Sequence, residues 1–254
     1  MKIAVISKNT IKEIIRDKIY YIFLVFALIM IGGSMLLADL SMGAQIKVVK
    51  DMGLGIISIF SLLSAIFLGI NLLNKEIEKK TVYNIFSKPI SRCQFILGKY
   101  AGLVFSLVLL IAVMAAGLLM LGFLYEKVFD LSIFLAAFMI FIEVMIITAF
   151  VLFFSTFSSP VLSGIFTLCI YILGHLAGEL KVLSSTMAGS LASFVLKCLY
   201  YLLPNLSNFD IKSEIVQKIL PSKGYMAACL SYGALYVAIL LFLSVAIYNR
   251  KDMK

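Results

Sequence analysis

Long apolar stretches separated by short polar ones set the pattern of this chain. Six runs stand out, at 19–38, 54–73, 101–124, 131–154, 161–177 and 226–247. Each approaches the roughly 20 residues that a helix needs to cross a bilayer core. A transmembrane barrel would instead show short strands of alternating polarity. The pattern predicts an all-α, polytopic membrane protein with six transmembrane helices, built as a single transmembrane domain over 1–254.

The polar intervals carry their own signals. In 1–18, Ile11, Ile14, Ile15 and Ile19 recur at helical spacing, and Lys8, Lys12 and Arg16 form a separate stripe. This is an amphipathic helix suited to the membrane surface. Residues 75–86 read as a short helix with Val82, Ile85 and Phe86 on one face and Glu76, Lys79 and Lys80 towards water. Pro89 pushes Lys88 to extended geometry and ends that helix. Ser91 and Gln94 have capping-box spacing, so a new helix starts near Arg92 and runs into the third span. Pro160 suits the first turn of the fifth helix, with Ser159 as its cap.

Residues 179–224 form the largest connection. Within it, 187–203 is apolar but holds Lys197, and a seventh span would move the basic C-terminal end to the other side. This stretch is expected to lie on the outer face or to re-enter the membrane. A turn and a short amphipathic helix follow, ending before Pro221. The connections at 39–53 and 125–130 show no chemistry. Gly98 with Gly102, and Gly174 with Gly178, match the small-residue spacing of close helix packing.

Composition agrees with the pattern. The chain is 63% hydrophobic and 14% charged, against about 45–50% and 25% in soluble domains. Its net charge is +9, from 22 Lys and Arg. Fourteen of these fall before the first span, between the second and third, or after the last. The positive-inside rule then places both termini in the cytoplasm of a multi-pass protein of the cytoplasmic (inner) membrane. The basic excess is topological, and no nucleic-acid partner is expected. The first apolar run reads as a retained signal anchor, being too long for a cleaved signal and lacking a small-residue cleavage site. The four cysteines lack metal-type spacing, and no metal is expected.

Glu143 lies in the middle of the fourth run. A charge at the bilayer centre costs roughly 2.5–3.5 kcal/mol, which makes Glu143 an intramembrane polar candidate: a cavity or interface site, a proton carrier, or a hydrogen-bonded packing residue. His175, the single histidine, with Tyr171 one turn earlier, is read as structural or interfacial. No H-E-x-x-H, paired membrane aspartates or Ser–His arrangement supports intramembrane hydrolysis. No G-x-x-x-x-G-K-[ST] occurs; Gly98-Lys99 is followed by Tyr100 and opens a membrane helix. The chain therefore has no usual cradle for ATP phosphates, and no cofactor is expected on it.

Several stretches resemble the ABC-2 type permeases, membrane subunits of one class of ATP-binding cassette transporters. Glu76 and Glu78, then Ser87-Lys88-Pro89-Ile90-Ser91-Arg92, then Gly98-Lys99-Tyr100-Ala101-Gly102 are similar to that family's cytoplasmic loop. "NTIKEIIRDKIYYIF" resembles its N-terminal interface helix, "YYLLPNLSNFDIK" its outer-loop signature, and "YNRKDMK" its basic tail. The resemblance covers essentially the whole chain, and 88–102 is its most specific part. Among subgroups the chain is similar to the permease associated with maturation of nitrous oxide reductase (NosY-like).

The resemblance implies a coupling helix within 74–100 that seats in a separate cytoplasmic ATP-binding cassette ATPase, with Glu76, Glu78, Lys80, Lys88, Pro89 and Arg92 at the interface. ATP and magnesium would bind that partner, and two copies of this chain would join two ATPases. It also implies substrate export or mechanical work across the membrane, service to maturation of an outer-side metalloenzyme, and a periplasmic accessory protein docking at Pro204, Asn205, Phe209 and Asp210. The residues alone leave two other readings open: a stand-alone secondary transporter using Glu143, and a structural membrane anchor for an outer-side assembly. Substrate and direction do not follow from the sequence.

Overall fold

The computed structural model describes residues 2–40, 45–78, 91–127, 130–186, 191–217 and 219–250. Among these, all regular structure is helical: α1 Lys2–Ile15, α2 Lys18–Leu40, α3 Gln45–Glu78, α4 Arg92–Glu126, α5 Ser132–Ser155, α6 Pro160–His175, α7 Ala177–Thr186, α8 Leu191–Leu202, a 3-10 turn Leu206–Phe209, α9 Lys212–Val216 and α10 Lys223–Arg250. The chain is an all-α polytopic membrane protein. α2, α3, α4, α5 and α10 are each long and apolar enough to cross a membrane.

The fifth predicted span differs from expectation. α6 has 16 residues, about 24 Å of helix, which is short of the ~30 Å hydrocarbon core. It reaches spanning length only together with α7, from which it is bent by 58°, the geometry of a broken span or a re-entrant loop. The cause is local. The Ser207 hydroxyl donates to the His175 carbonyl at 2.6 Å, a carbonyl that a continuous helix would use itself. Gly174 backs onto the 3-10 turn, where an added Cβ would stand 2.8 Å from the Leu206 side chain and the Pro204 carbonyl.

Two other boundaries move. α3 starts at Gln45, so most of the expected first connection is helix, and it runs unbroken to Glu78. Residues 75–78 are therefore the end of a long helix, not the start of a short one. α4 begins at Arg92, and Ser91 and Gln94 form both hydrogen bonds of the capping box. α6 begins at Pro160, with Ser159 in extended geometry at the cap position. The 187–203 stretch contributes α8, 12 residues long, below spanning length.

α5 is the centre of the bundle. In its apolar window 78% of residues are buried, against 22% in α2 and 28% in α10. Small residues let neighbours approach. Gly69 of α3 lies under Val151 of α5, and Gly233 of α10 lies under Ile142. We call the end carrying α1, the start of α4 and the end of α10 the basic end.

At the opposite end, Lys50 and Asp130 form an ion pair at 2.7 Å, with the Lys50 side chain 3% exposed. Asp130 Oδ1 also accepts from the Ser132 amide and hydroxyl. Burial raises the Asp130 pKa, but the hydrogen bonds from Lys50 and Ser132 and the Lys50 charge outweigh it and leave it below the ordinary 3.8. A depressed carboxylate pKa adds stability above the unfolded value and loses it as pH falls through the folded one. The pair should hold the α3–α5 ends together at neutral pH and release below about pH 4. Asp130→Asn should lower the melting temperature at neutral pH, and that deficit should shrink on acidification; a melting series against pH checks it.

Candidate functional site

Besides the Lys50–Asp130 pair, two constellations of polar side chains among the described residues cross between elements, one at the basic end and one inside the bundle. At the basic end, α1 lies across the start of α4. Thr10 and Ile14 are its buried residues, so the packed face runs through Ile6, Thr10 and Ile14, while Ile11 and Ile15 are half-buried. Gly98 and Gly102 make the seat. A Cβ at Gly98 would fall 2.7 Å from Ile6, and one at Gly102 would fall 2.5 Å from Thr10 and 3.0 Å from the Ser7 carbonyl. Between them, Lys99 is 2% exposed and its Nζ lies 3.5 Å from Glu13 Oε2 of α1. The Tyr100 hydroxyl donates to the Met145 carbonyl of α5 at 3.3 Å. The stretch Gly98–Gly102 thus fastens α1 and α5 to α4.

Arg92 faces the end of α10. Its guanidinium donates to the carbonyls of Tyr248 at 2.7 Å and Asn249 at 3.0 Å. These carbonyls lie at a helix C-terminus, where a cation is favoured. Phe95 stacks on Tyr248 with centroids 6.2 Å apart. Of the other residues expected at an ATPase interface, Glu76 and Glu78 lie in the last turns of α3, with side chains outside the described set. Lys80, Lys88 and Pro89 lie outside the described residues altogether.

Inside the bundle, Glu143 is 1% exposed, and its Oε1 stands 2.7 Å from Nε2 of His175. The geometry follows from helix direction. Side chains lean towards the N-terminus of their own helix; α5 and α6 run in opposite directions, so these two lean together. Tyr171 packs edge-on to His175 at 4.6 Å. Ser58 of α3, Glu143 and Asp210 all lie within electrostatic reach of its hydroxyl. Glu143 Oε2 is buried and has no hydrogen-bond partner among the described residues.

The sequence reading singled out Glu143 but did not pair it with His175. A signal was present: Ser163, Thr167, Tyr171 and His175 recur every four residues, a polar line down one face of α6.

The residues expected to meet an outer-side partner are placed unevenly. Phe209 is 1% exposed and Pro204 is buried, so both pack this chain's own interior and offer no surface. Asn205 is half-buried, its amide donating to the Tyr232 hydroxyl at 2.8 Å; Asp210 is exposed. Gly174 sits tightly against the 3-10 turn, whereas nothing lies within 4 Å of a Cβ built on Gly178. The Gly174–Gly178 spacing is therefore not a packing pair within this chain.

A family model described as "ABC-2 family transporter protein" matches residues 4–253. No curated protein matches the chain.

Gly102→Leu should displace α1 from α4 at a cost of about 1–3 kcal/mol, the usual range for overpacking. A cysteine replacing Thr10 in a cysteine-free background should then react with a water-soluble maleimide and stay silent when Gly102 is present. His175→Ala strands a buried carboxylate and should destabilise the chain by about 3 kcal/mol or more. Glu143→Gln keeps a hydrogen-bonding partner for His175 and should cost less. Thermal melting in detergent separates the two.

Proposed function

Because the chain belongs to the ABC-2 family of transporter proteins, we propose that it is the permease subunit of an ATP-driven transporter, with residues 74–100 transmitting work from a separate cytoplasmic ATP-binding cassette ATPase. One observation carries the coupling role. α3 and α4, of 34 and 35 residues, enter and leave this segment and run unbroken to the opposite end, each about 50 Å long. A displacement of residues 79–90 reaches the far end through two stiff rods. It also reaches α1 through the Gly98–Gly102 seat and α10 through Arg92.

Within this reading the ATPase binds ATP and magnesium, both termini are cytoplasmic, and two copies of the chain assemble with two ATPases in the inner membrane. The work done is substrate export or a mechanical pull. Similarity to the nitrous oxide reductase subgroup suggests maturation of an outer-side metalloenzyme, with an accessory protein on that side, as the process served.

Mild-detergent capture of the tagged chain from its native membrane, with an ATP-turnover assay on the eluate, tests the reading. A soluble ATPase should co-elute, and Glu78→Lys should reduce its recovery about tenfold, equivalent to ~1.4 kcal/mol of interface energy. Arg92 is a poorer probe, because its loss also uncaps α10. An eluate with neither ATPase nor turnover would reject the assignment.

A further inference from the structure

Glu143 is only half satisfied, and its surroundings specify what completes it. Oε1 is engaged by His175 at 2.7 Å. Oε2, equally buried, receives nothing from the described residues. An ionised carboxylate beside a neutral imidazole would leave a net negative charge deep in the bundle, where charge is strongly disfavoured. One added positive charge makes the cluster neutral.

Among the described residues, the neighbours do not supply that charge. α6 presents His175 and Tyr171, and α3 presents the Ser58 hydroxyl. Tyr100 of α4 is committed to the Met145 carbonyl. Tyr232 of α10 accepts from the Asn205 amide. Beyond the 3-10 turn, Asp210 adds a second negative charge, set against Lys212 at 3.6 Å. Lys50, a buried lysine nearer the start of α3, is engaged by Asp130.

We propose that Glu143 and His175 form a binding site for a single positive charge, filled either by a proton held on the pair or by a small alkali cation on Oε2. Both occupants satisfy the same requirement, one unit of charge beside a buried carboxylate oxygen. Of the two side chains, that of His175 is the one that reaches the protein surface. His175 is 22% exposed while Glu143 is 1% exposed, and the His175 carbonyl is tied to Ser207 of the 3-10 turn. The site stands whether or not an ATPase partners the chain.

The test is thermal melting of the full-length chain in lipid nanodiscs at constant ionic strength, wild type beside Glu143→Gln. Sodium or potassium replaces choline in one arm, and pH falls from about 8 to about 6 in the other, a range bracketing imidazole titration. Saturating the site should raise the wild-type melting temperature by about 5 °C. Glu143→Gln, neutral already, should lack the part of each response that belongs to the site, and its own curve subtracts every other titrating group. A rise with acid alone identifies the proton; a rise with alkali cation at fixed pH identifies the cation. Parallel shifts in wild type and variant under every condition would overturn the proposal. If the variant fails to assemble, infrared difference spectra of the wild type decide: a carboxyl band that changes with acid or cation supports the site, and an unchanged band rejects it.

Discussion

A polar group taken out of water must find its partner within the protein, and in a bilayer-spanning bundle no other source is at hand. Helices meet this requirement for the backbone automatically. Buried serines and threonines mostly turn back onto their own helix, while several charged side chains are matched between elements at three depths. Lys50 meets Asp130 at one end. Glu143 meets His175 within the bundle. Lys99 meets Glu13, and Arg92 meets the last carbonyls of α10, at the other. Apolar burial is weakly discriminating where lipid is as oily as the core, so helix position falls to these matches and to close glycine contacts. The bundle's registry is legible from them. Lys50–Asp130 and Gly69–Val151 both tie α3 to α5, at opposite ends of the same pair of parallel helices.

Most of the fold was legible because it depends on local signals. Apolar run length located the spans; Ser91 with Gln94 located the start of α4; Pro160 located the start of α6. The misplacements share a cause. α3 extends back to Gln45 because Val49 and Lys50 are buried against other elements, and Lys50 looks like a loop residue until Asp130, eighty positions away in sequence, is beside it. α6 stops at His175 because Ser207 and Leu206 lie against its last turn. Neither cause is visible within a window of one element.

The site was legible in part, for the same reason. Glu143 announces itself by its cost in hydrocarbon. His175, taken alone, is one histidine near a helix end. Phe209 belongs to a stretch whose resemblance pointed outward, yet the 3-10 turn rolls it into the interior. The Gly98–Gly102 pair gives the clearest instance of pattern exceeding interpretation. Its spacing signals close approach, but the approaching element is the surface helix α1 and not a neighbouring span.

These placements connect the two ends of the molecule through α5. Tyr100, inside the α1 seat, bonds to the Met145 carbonyl, and Glu143 is two residues earlier on α5. A shift of α4 that changes its hold on α5 therefore bears on the helix that carries the buried carboxylate. α5 is the most buried of the spanning helices, and a close-packed interior transmits displacement instead of absorbing it. His175, the partner of that carboxylate, is in turn tied to the 3-10 turn at the far end through Ser207. Basic end, buried pair and far-end turn thus lie along one run of direct contacts. The half-satisfied Glu143 lies within that run.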